Sequence, residues 1–272
     1  MPSTCPTISV ASATSATGDG LQLARGIPSG DVAVHQALRD GRARAGVHRT
    51  EGVGRGVSER VQPLDDAAVL ALTRPDEFGT QAAALIAGGM DFPDRLAEQY
   101  RSLAPMASLQ WFREARRTLL ATLGTDDPKR RIPWFGPDMS VASSATARMM
   151  ETWAHGQDVY DTLGLVHPPT RGLRSIAHLG VATFAFCHTN NGLPVPDQPV
   201  RVELDSPDGE LWTWGPDDAD NVVRGPATDF VLTVTQRRHW SETGLTVVGP
   251  VAEAWLDIAQ AFAGAPSQRV AG

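Results

Sequence analysis

The hydrophobic period of this 272-residue chain changes at LPVPDQP, residues 193–199. On the N-terminal side, from about Leu64, apolar residues recur every three or four positions, the spacing that gives a helix one buried face. On the C-terminal side, VRVEL (200–204) and ELWTWG (210–215) alternate apolar with polar residues, as a half-buried strand does. The turn formers DSPDG lie between them, so this stretch predicts a β-hairpin. NVVRG reads as a third strand, PATDFVLTVTQRRHW as a helix, LTVVG as a strand and PVAEAWLDIAQAFAG as a closing helix. Helices followed by a short mixed segment make the fold class α+β: a helical bundle, then a small α+β domain.

The bundle helices are marked by their ends. LDDAAVLALTRPDEF keeps a helical period until Pro75, and TQAAALIAGG stops at a Gly pair. PMASLQWFREARRTLLATLG has a Pro near its start, apolar Leu109, Phe112, Leu119, Leu120 and Leu123, and Gly124 at its end. TDDPKRRIPWFGPDMS is a loop by its Pro and turn formers. Ser140 is placed to cap a helix that runs to Leu163 and stops at Gly164. TRGLRSIAHLGVATFAFCHTNNG predicts one more helix, closed by Asn and Gly.

Residues 1–63 are of another kind. MPSTCPTISVASATSATGDG is small and polar, and DGRARAGVHRTEGVGRGVSERV has no apolar period with which to bury a face. Such composition predicts a disordered segment. The organisation is therefore 1–63, a disordered or aberrant segment; 64–192, the bundle; and 193–266, the α+β domain.

Charge and composition exclude several functions. A net charge of −7 and a pI near 5.5 argue against binding nucleic acid by phosphate neutralisation. No apolar run reaches the roughly 20 residues that span a bilayer, and no signal peptide opens the chain. Cys5 and Cys187 are too few and too far apart for a disulfide scaffold or a thiolate zinc site, which fits the cytoplasm. Lys129 is the single lysine in a chain rich in Ala, Gly, Arg and Val, a composition that suits a high-GC, actinobacterial genome.

The chemistry is concentrated in RMMETWAHGQDVYDTLG, residues 148–164. Residues four apart on a helix are turned by about 40° and stack one above the other. Glu151 and His155 can thus converge a carboxylate oxygen and an imidazole nitrogen on one ion, the mixed donors that zinc and other first-row divalent metals accept. The same spacing also suits a solvated Glu and a His bonded within the bundle. Asp158, near the same face, is placed to hydrogen-bond a ligating His or to cap a buried neighbour. His178 reads as a packed helix histidine, and Cys187 and His188 lack the setting of a nucleophile and its base. RRH at 237–239 reads as a solvated helix end, with anion binding the other reading. No phosphate-binding loop or nucleophile elbow is present.

These residues carry a resemblance. RMMETWAHGQDVYDTLG resembles the fourth bundle helix of the DinB-like, mycothiol-dependent maleylpyruvate isomerase family, most of all an actinobacterial branch described as metal-binding proteins. RSIAHLG, VRVELDSPDGELWTWGP, GPATDFVLTVTQRR and WLDIAQAFAG continue it, so that matching runs span about Leu64 to Pro266. The last of them also resemble a region labelled wyosine base formation. The resemblance implies that Glu151 and His155 bind the metal. It implies a third ligand too, a His on an earlier helix, in a stretch of the form GW-(T/D)-V-x-D-Q-(V/I)-x-H-L before the segment seen here as DDAAVLALT.

That stretch is absent. EGVGRGVSERVQPL stands in its place, and His35 and His48 lie in no matching context. The family's first helix is not recognisable either. Read one nucleotide later, codons for EGVGRGV can encode GWDV and those for VQPL can include a His codon. A frameshift upstream of about Leu64 accounts for both losses; true divergence is the alternative.

The resemblance implies a metal-dependent enzyme, isomerase- or transferase-like, acting on a small molecule. A divalent metal, zinc by its donors, would activate mycothiol or water. The rival is a non-catalytic protein that binds metal or, through a sterol-carrier-like C-terminal module, a small apolar ligand, and the bundle could also serve a homodimer. A role in tRNA modification fits neither the acidic charge nor the lack of a radical-cluster cysteine motif.

Overall fold

The computed structural model describes residues 63–267 apart from Met90. The readings made of residues 1–62, with Cys5, His35, His48 and the frameshift, fall outside the described residues.

Helix α1 covers 63–73 and α2 covers Pro75–Ala87. They are separate because Arg74, which precedes a proline, leaves the helical region (φ −141°, ψ 68°), while Pro75 suits the first turn of the new helix. The expected break and the short helix beyond it are thus one feature. Helix α3, Phe92–Tyr100, was hidden in FPDRLAEQY, and α4 is Pro105–Leu123. The loop after α4 is more ordered than its composition suggests. Strands β1 (Arg131–Ile132) and β2 (Met139–Ser140) pair antiparallel and fold WF at 134–135 inward. Trp134 stacks on Phe78 at 5.6 Å, and Phe135 meets Phe78 at 5.1 Å and Phe92 at 4.7 Å.

The long helix α5 is Val141–Leu163. Ser140 caps it by accepting from the Ser143 N–H at 3.0 Å, and Gly164 ends it in the left-handed conformation (φ 64°) that glycine adopts without strain. The predicted helix 170–192 is two, α6 (Leu173–Ala182) and α7 (Phe184–Asn190). The Thr183 hydroxyl between them donates to the Gly180 carbonyl at 2.9 Å, a local bond that competes with the helix ladder. Gly180 permits α6 to approach its neighbour: a Cβ there would stand 2.8 Å from a Val234 methyl.

The second part is a four-stranded sheet, β3 (Val200–Asp205), β4 (Leu211–Trp214), β5 (Asn221–Pro226) and β6 (Thr246–Val248), in the order β4-β3-β5-β6. The β3–β4 pair is the expected hairpin, with Val202 opposite Trp214 and Leu204 opposite Trp212. Strand β5 runs parallel to β3, and β6 runs antiparallel to β5. Helices α8 (Ala227–Val234) and α9 (Pro250–Ile258) accompany the sheet.

Two hydrophobic cores result. The first joins Ala68, Ala71, Leu72, Phe78, Ala82, Leu119, Ile132 and Val141. In the second, Met150, Trp153, Ala154, Leu173, Ile176 and Cys187 pack with Val202, Leu204, Val223, Phe230 and Trp255. Helix α5 enters both, through Val141 at its start and Met150, Trp153 and Ala154 at its middle. Among the described residues no helix is long and apolar enough to cross a membrane.

Candidate functional site

Helix α5 carries Arg148, Glu151, Thr152, His155 and Asp158 at helical spacing on one stripe. The structure brings the predicted trio together. Glu151 Oε2 lies 3.4 Å from His155 Nε2, and His155 Nδ1 lies 3.3 Å from Asp158 Oδ2. The imidazole therefore faces a carboxylate on each side. Glu151 and His155 are only 24% and 18% exposed as side chains, so solvent screens this pair weakly.

The sequence reading missed what holds Asp158. Arg237 donates from Nε to Asp158 Oδ1 at 3.1 Å and from Nη2 to Oδ2 at 2.9 Å, a bidentate fork. Its Nε also reaches the Ala154 carbonyl at 3.1 Å, and its Nη1 the Thr235 carbonyl at 2.6 Å. Arg238 makes a second fork on Asp161, at 2.9 and 2.7 Å, and Gln157 donates to the same carboxylate at 2.9 Å. RRH at 237–239 is thus no solvated helix end: the arginines bind α5, and His239 Nε2 lies 3.4 Å from Asp257. The cause is local. Helix α8 ends at Val234, and Gln236 adopts φ 59°, the one positive φ of a non-glycine among the described residues. This left-handed residue turns the chain back toward α5. The Gln236 side chain fixes it by donating to the carbonyls of Ala259 and Ser267 at 3.2 and 2.6 Å. One sequence signal was available: two arginines directly after a helix, in a chain with acids at 158 and 161.

On the other side of Glu151 lies a buried set of charges. Arg148 is 5% exposed; its Nη2 is 4.0 Å from Glu151 Oε1, and its guanidinium sits 5.3 Å from the Trp134 ring centre. Asp65 on α1 is fully buried, with one oxygen 3.4 Å from Arg116 Nη2. Arg116 also donates to the Thr152 hydroxyl, which donates to the Arg148 carbonyl at 2.8 Å. Among the described residues neither oxygen of Asp65, nor Nε or Nη1 of Arg148, has a hydrogen-bond partner.

The protonation equilibria follow this geometry. Burial pushes the Glu151 carboxyl up, but His155, Arg148 and Arg237 together outweigh it and hold the group below the usual carboxylate range. Burial pushes the His155 imidazole down, and Asp158 and Glu151 outweigh that in turn, so its pKa is raised. Asp158 is depressed, with burial opposing His155 and Arg237. Asp65 goes the other way: burial raises it in spite of Arg116 and Arg148.

The remaining candidates are packing groups. His178 accepts from Trp214 Nε1 at 3.2 Å. His188 is buried, with Nδ1 2.9 Å from the Phe184 carbonyl. Cys187 is buried against Gln260, whose N–H points to its sulfur at 3.2 Å, and burial raises the thiol. Among the described residues no cluster of three or more His, Cys, Asp or Glu side chains has the arrangement of a metal site. Glu151 and His155 stand as two potential ligands.

The family model described as the mycothiol maleylpyruvate isomerase N-terminal domain matches residues 61–160, which contain the whole stripe. Two uncharacterized proteins of Mycobacterium tuberculosis, from strains CDC 1551 and H37Rv, are each 45% identical over 204 residues, covering 75% of this chain and 79% of theirs. Crystal structures of the mycothiol-dependent maleylpyruvate isomerase and of an alanine mutant of it resemble the chain at 14% and 16% identity. Their TM-scores are 0.43 and 0.46, and each match covers 84% of this chain and 91% of the other.

Proposed function

The chain belongs to the mycothiol-dependent maleylpyruvate isomerase-like family, and from that premise we propose that Glu151 and His155 hold a divalent metal in an enzyme acting on a small molecule. The reaction class is isomerase- or transferase-like, the metal zinc by its donor set, and the activated nucleophile the thiol of mycothiol or a water. One observation carries the reading. Two ligand atoms bound tetrahedrally at about 2.0–2.1 Å from zinc stand about 3.3 Å apart, and Glu151 Oε2 and His155 Nε2 are 3.4 Å apart.

The side chains around the pair suit that use. Asp158 accepts from His155 Nδ1, which fixes the tautomer and leaves the Nε2 lone pair facing Glu151. Arg237 fixes Asp158 in turn. A bound cation supplies charge that lowers the pKa of a thiol or water, so that the nucleophile exists near neutral pH. Ligation needs a neutral imidazole, so metal uptake releases a proton and weakens as pH falls through the raised pKa of His155. The third ligand that the resemblance implies has no counterpart in this sequence, where EGVGRGVSERVQPL stands in the place of the stretch that would carry it.

Metal analysis of the purified protein tests the reading. Stoichiometric metal is expected in the wild type, with loss in both Glu151→Ala and His155→Ala. Metal content unchanged in the variants, or absent from the wild type, would sink it. The second reading is then a non-catalytic binding protein, in which Glu151, imidazolium His155, Asp158 and Arg237 form a structural ion network. The carboxylates on both sides of the ring favour that alternative.

A further inference from the structure

Residues 164–172 link α5 to α6, and the middle of that link is held by one side chain. At the near end the Leu165 N–H donates to the Tyr160 carbonyl at 2.9 Å, and at the far end Arg171 pairs with Asp208 and with Glu210. Between them, residues 166–169 make no backbone–backbone hydrogen bond among the described residues. Pro168 and Pro169 have no N–H to give and stiffen the span. Val166 is 87% exposed and is no anchor. His167 is. Its imidazole lies between Tyr160, 4.4 Å away and within 11° of parallel, and Trp153, 5.2 Å away and within 17°. Those rings stand two turns apart on α5, and Gly156 between them has no side chain to fill the slot. Gln157 closes the edge. Its Oε1 lies 3.1 Å from His167 Nδ1, and its Nε2 donates to Asp161 at 2.9 Å, which leaves Oε1 as the acceptor. This face is turned about 180° around α5 from Glu151, His155 and Asp158.

We propose that the link is an acid-released strap: neutral His167 locks it onto the back of α5, and the imidazolium frees it. Both ring faces are covered by aromatic carbon and one edge by Gln157, so a charged ring loses most of its hydration there. Few charges face the slot. Asp161 attracts an imidazolium, but Arg238 from beyond α8 already grips that carboxylate. The Tyr160 phenol, pushed up by burial, is neutral, and Arg171 on the link is turned to its own acids. The aromatic faces also attract a cation. Burial outweighs Asp161 and holds the imidazole below its ordinary value. The strap is therefore fully held above about pH 6.5, where a released histidine titrates, and loses hold as pH falls from there toward the lower folded value. None of this rests on the metal reading.

A nitroxide at position 166, introduced as Val166→Cys with Cys5→Ser, reports the strap directly, since Cys187 is buried. In the full chain its spin-resonance spectrum is expected to be immobilised at about pH 7.5 and to gain a mobile component by about pH 5.5. The ratio of mobile to immobile label should rise by up to about tenfold, the limit for a histidine that takes its proton only when released. His167→Phe keeps a flat ring in the slot with no proton to take, and is expected to stay immobilised at both pH values. His167→Ala empties the slot and is expected to be mobile at both. A spectrum that does not change with pH when His167 is present overturns the proposal. So does the same acid response in His167→Phe, which would place the titrating group elsewhere. So does a strap in His167→Ala as immobile as with His167 at about pH 7.5. Helix content by circular dichroism is expected to hold over the range; its loss in step with the label would make the change unfolding and overturn the strap.

Discussion

Around the sheet, buried polar side chains other than Trp255 Nε1 find partners close by. Thr233 and Thr235 donate to the carbonyls of Asp229 and Val231, and Asn221 accepts from the Val251 N–H at 3.0 Å. Gln260 bonds the carbonyls of Phe262 and Ala265 and the N–H of Ser267. Around the first core, Asp65 and Arg148 are as deeply buried and keep polar atoms without a hydrogen-bond partner among the described residues. A satisfied buried group is near neutral for stability; an unsatisfied charged one costs free energy. The second core thus has the character of a scaffold. The first retains a costly charge cluster on the side where α5 carries Glu151 and His155, as a site whose geometry matters does.

That contrast can be broken experimentally, and the largest effect should come from the scaffold. Trp255 is 1% exposed at the centre of the second core, and Trp255→Ala is expected to cost about 3–5 kcal/mol in denaturant unfolding. A loss below about 1 kcal/mol would mean that this core is not what holds the sheet. Asp158→Asn comes next. It removes the charge that Arg237 grips and that faces His155, and under the proposed metal reading it should weaken metal binding by about tenfold or more with little loss of helix by circular dichroism. Equal metal affinity in mutant and wild type would reduce Asp158 to a structural ion-pair partner.

Asp65 tests the cost directly. Its folded pKa is raised, so the folded state holds a proton that the unfolded chain releases near pH 3.9. Wild-type stability from this group therefore falls as pH rises from about 4 through the folded value. Asp65→Asn lacks that slope and should gain on the wild type across the window in urea melts at a series of pH values. A gain by the wild type instead would show that Arg116 and Arg148 repay the burial. The smallest effect belongs to the surface: Arg238→Ala, which opens the fork on a partly exposed Asp161, should cost no more than about 1 kcal/mol.

The sequence was most legible where one residue type has one local consequence. Ser140 and Gly164 bound the site helix as their chemistry requires, and the period change near residue 193 separates the helices from the sheet. The Glu151–His155 approach follows from helix geometry alone. What could not be read depends on distance along the chain. Trp134 and Phe135 look like loop residues until β1 and β2 fold them onto Phe78. Arg148, in a run of mixed polarity, shows no sign of its burial. Helix α3, nine residues long, has too few turns to stand out. Arg237 meets Asp158 across 79 residues, by way of a left-handed glutamine that no propensity favours.

That glutamine has one more consequence. In a continued helix, Arg237 and Arg238 would point about 100° apart and could not both face one neighbour. Beyond Gln236 they engage carboxylates at positions 158 and 161, almost one turn apart on α5. A slip of α5 by one residue would rotate it by about 100° and part both forks together. The two arginines act as the teeth of a key, and the one register in which the key seats is the one that sets His155 between Glu151 and Asp158.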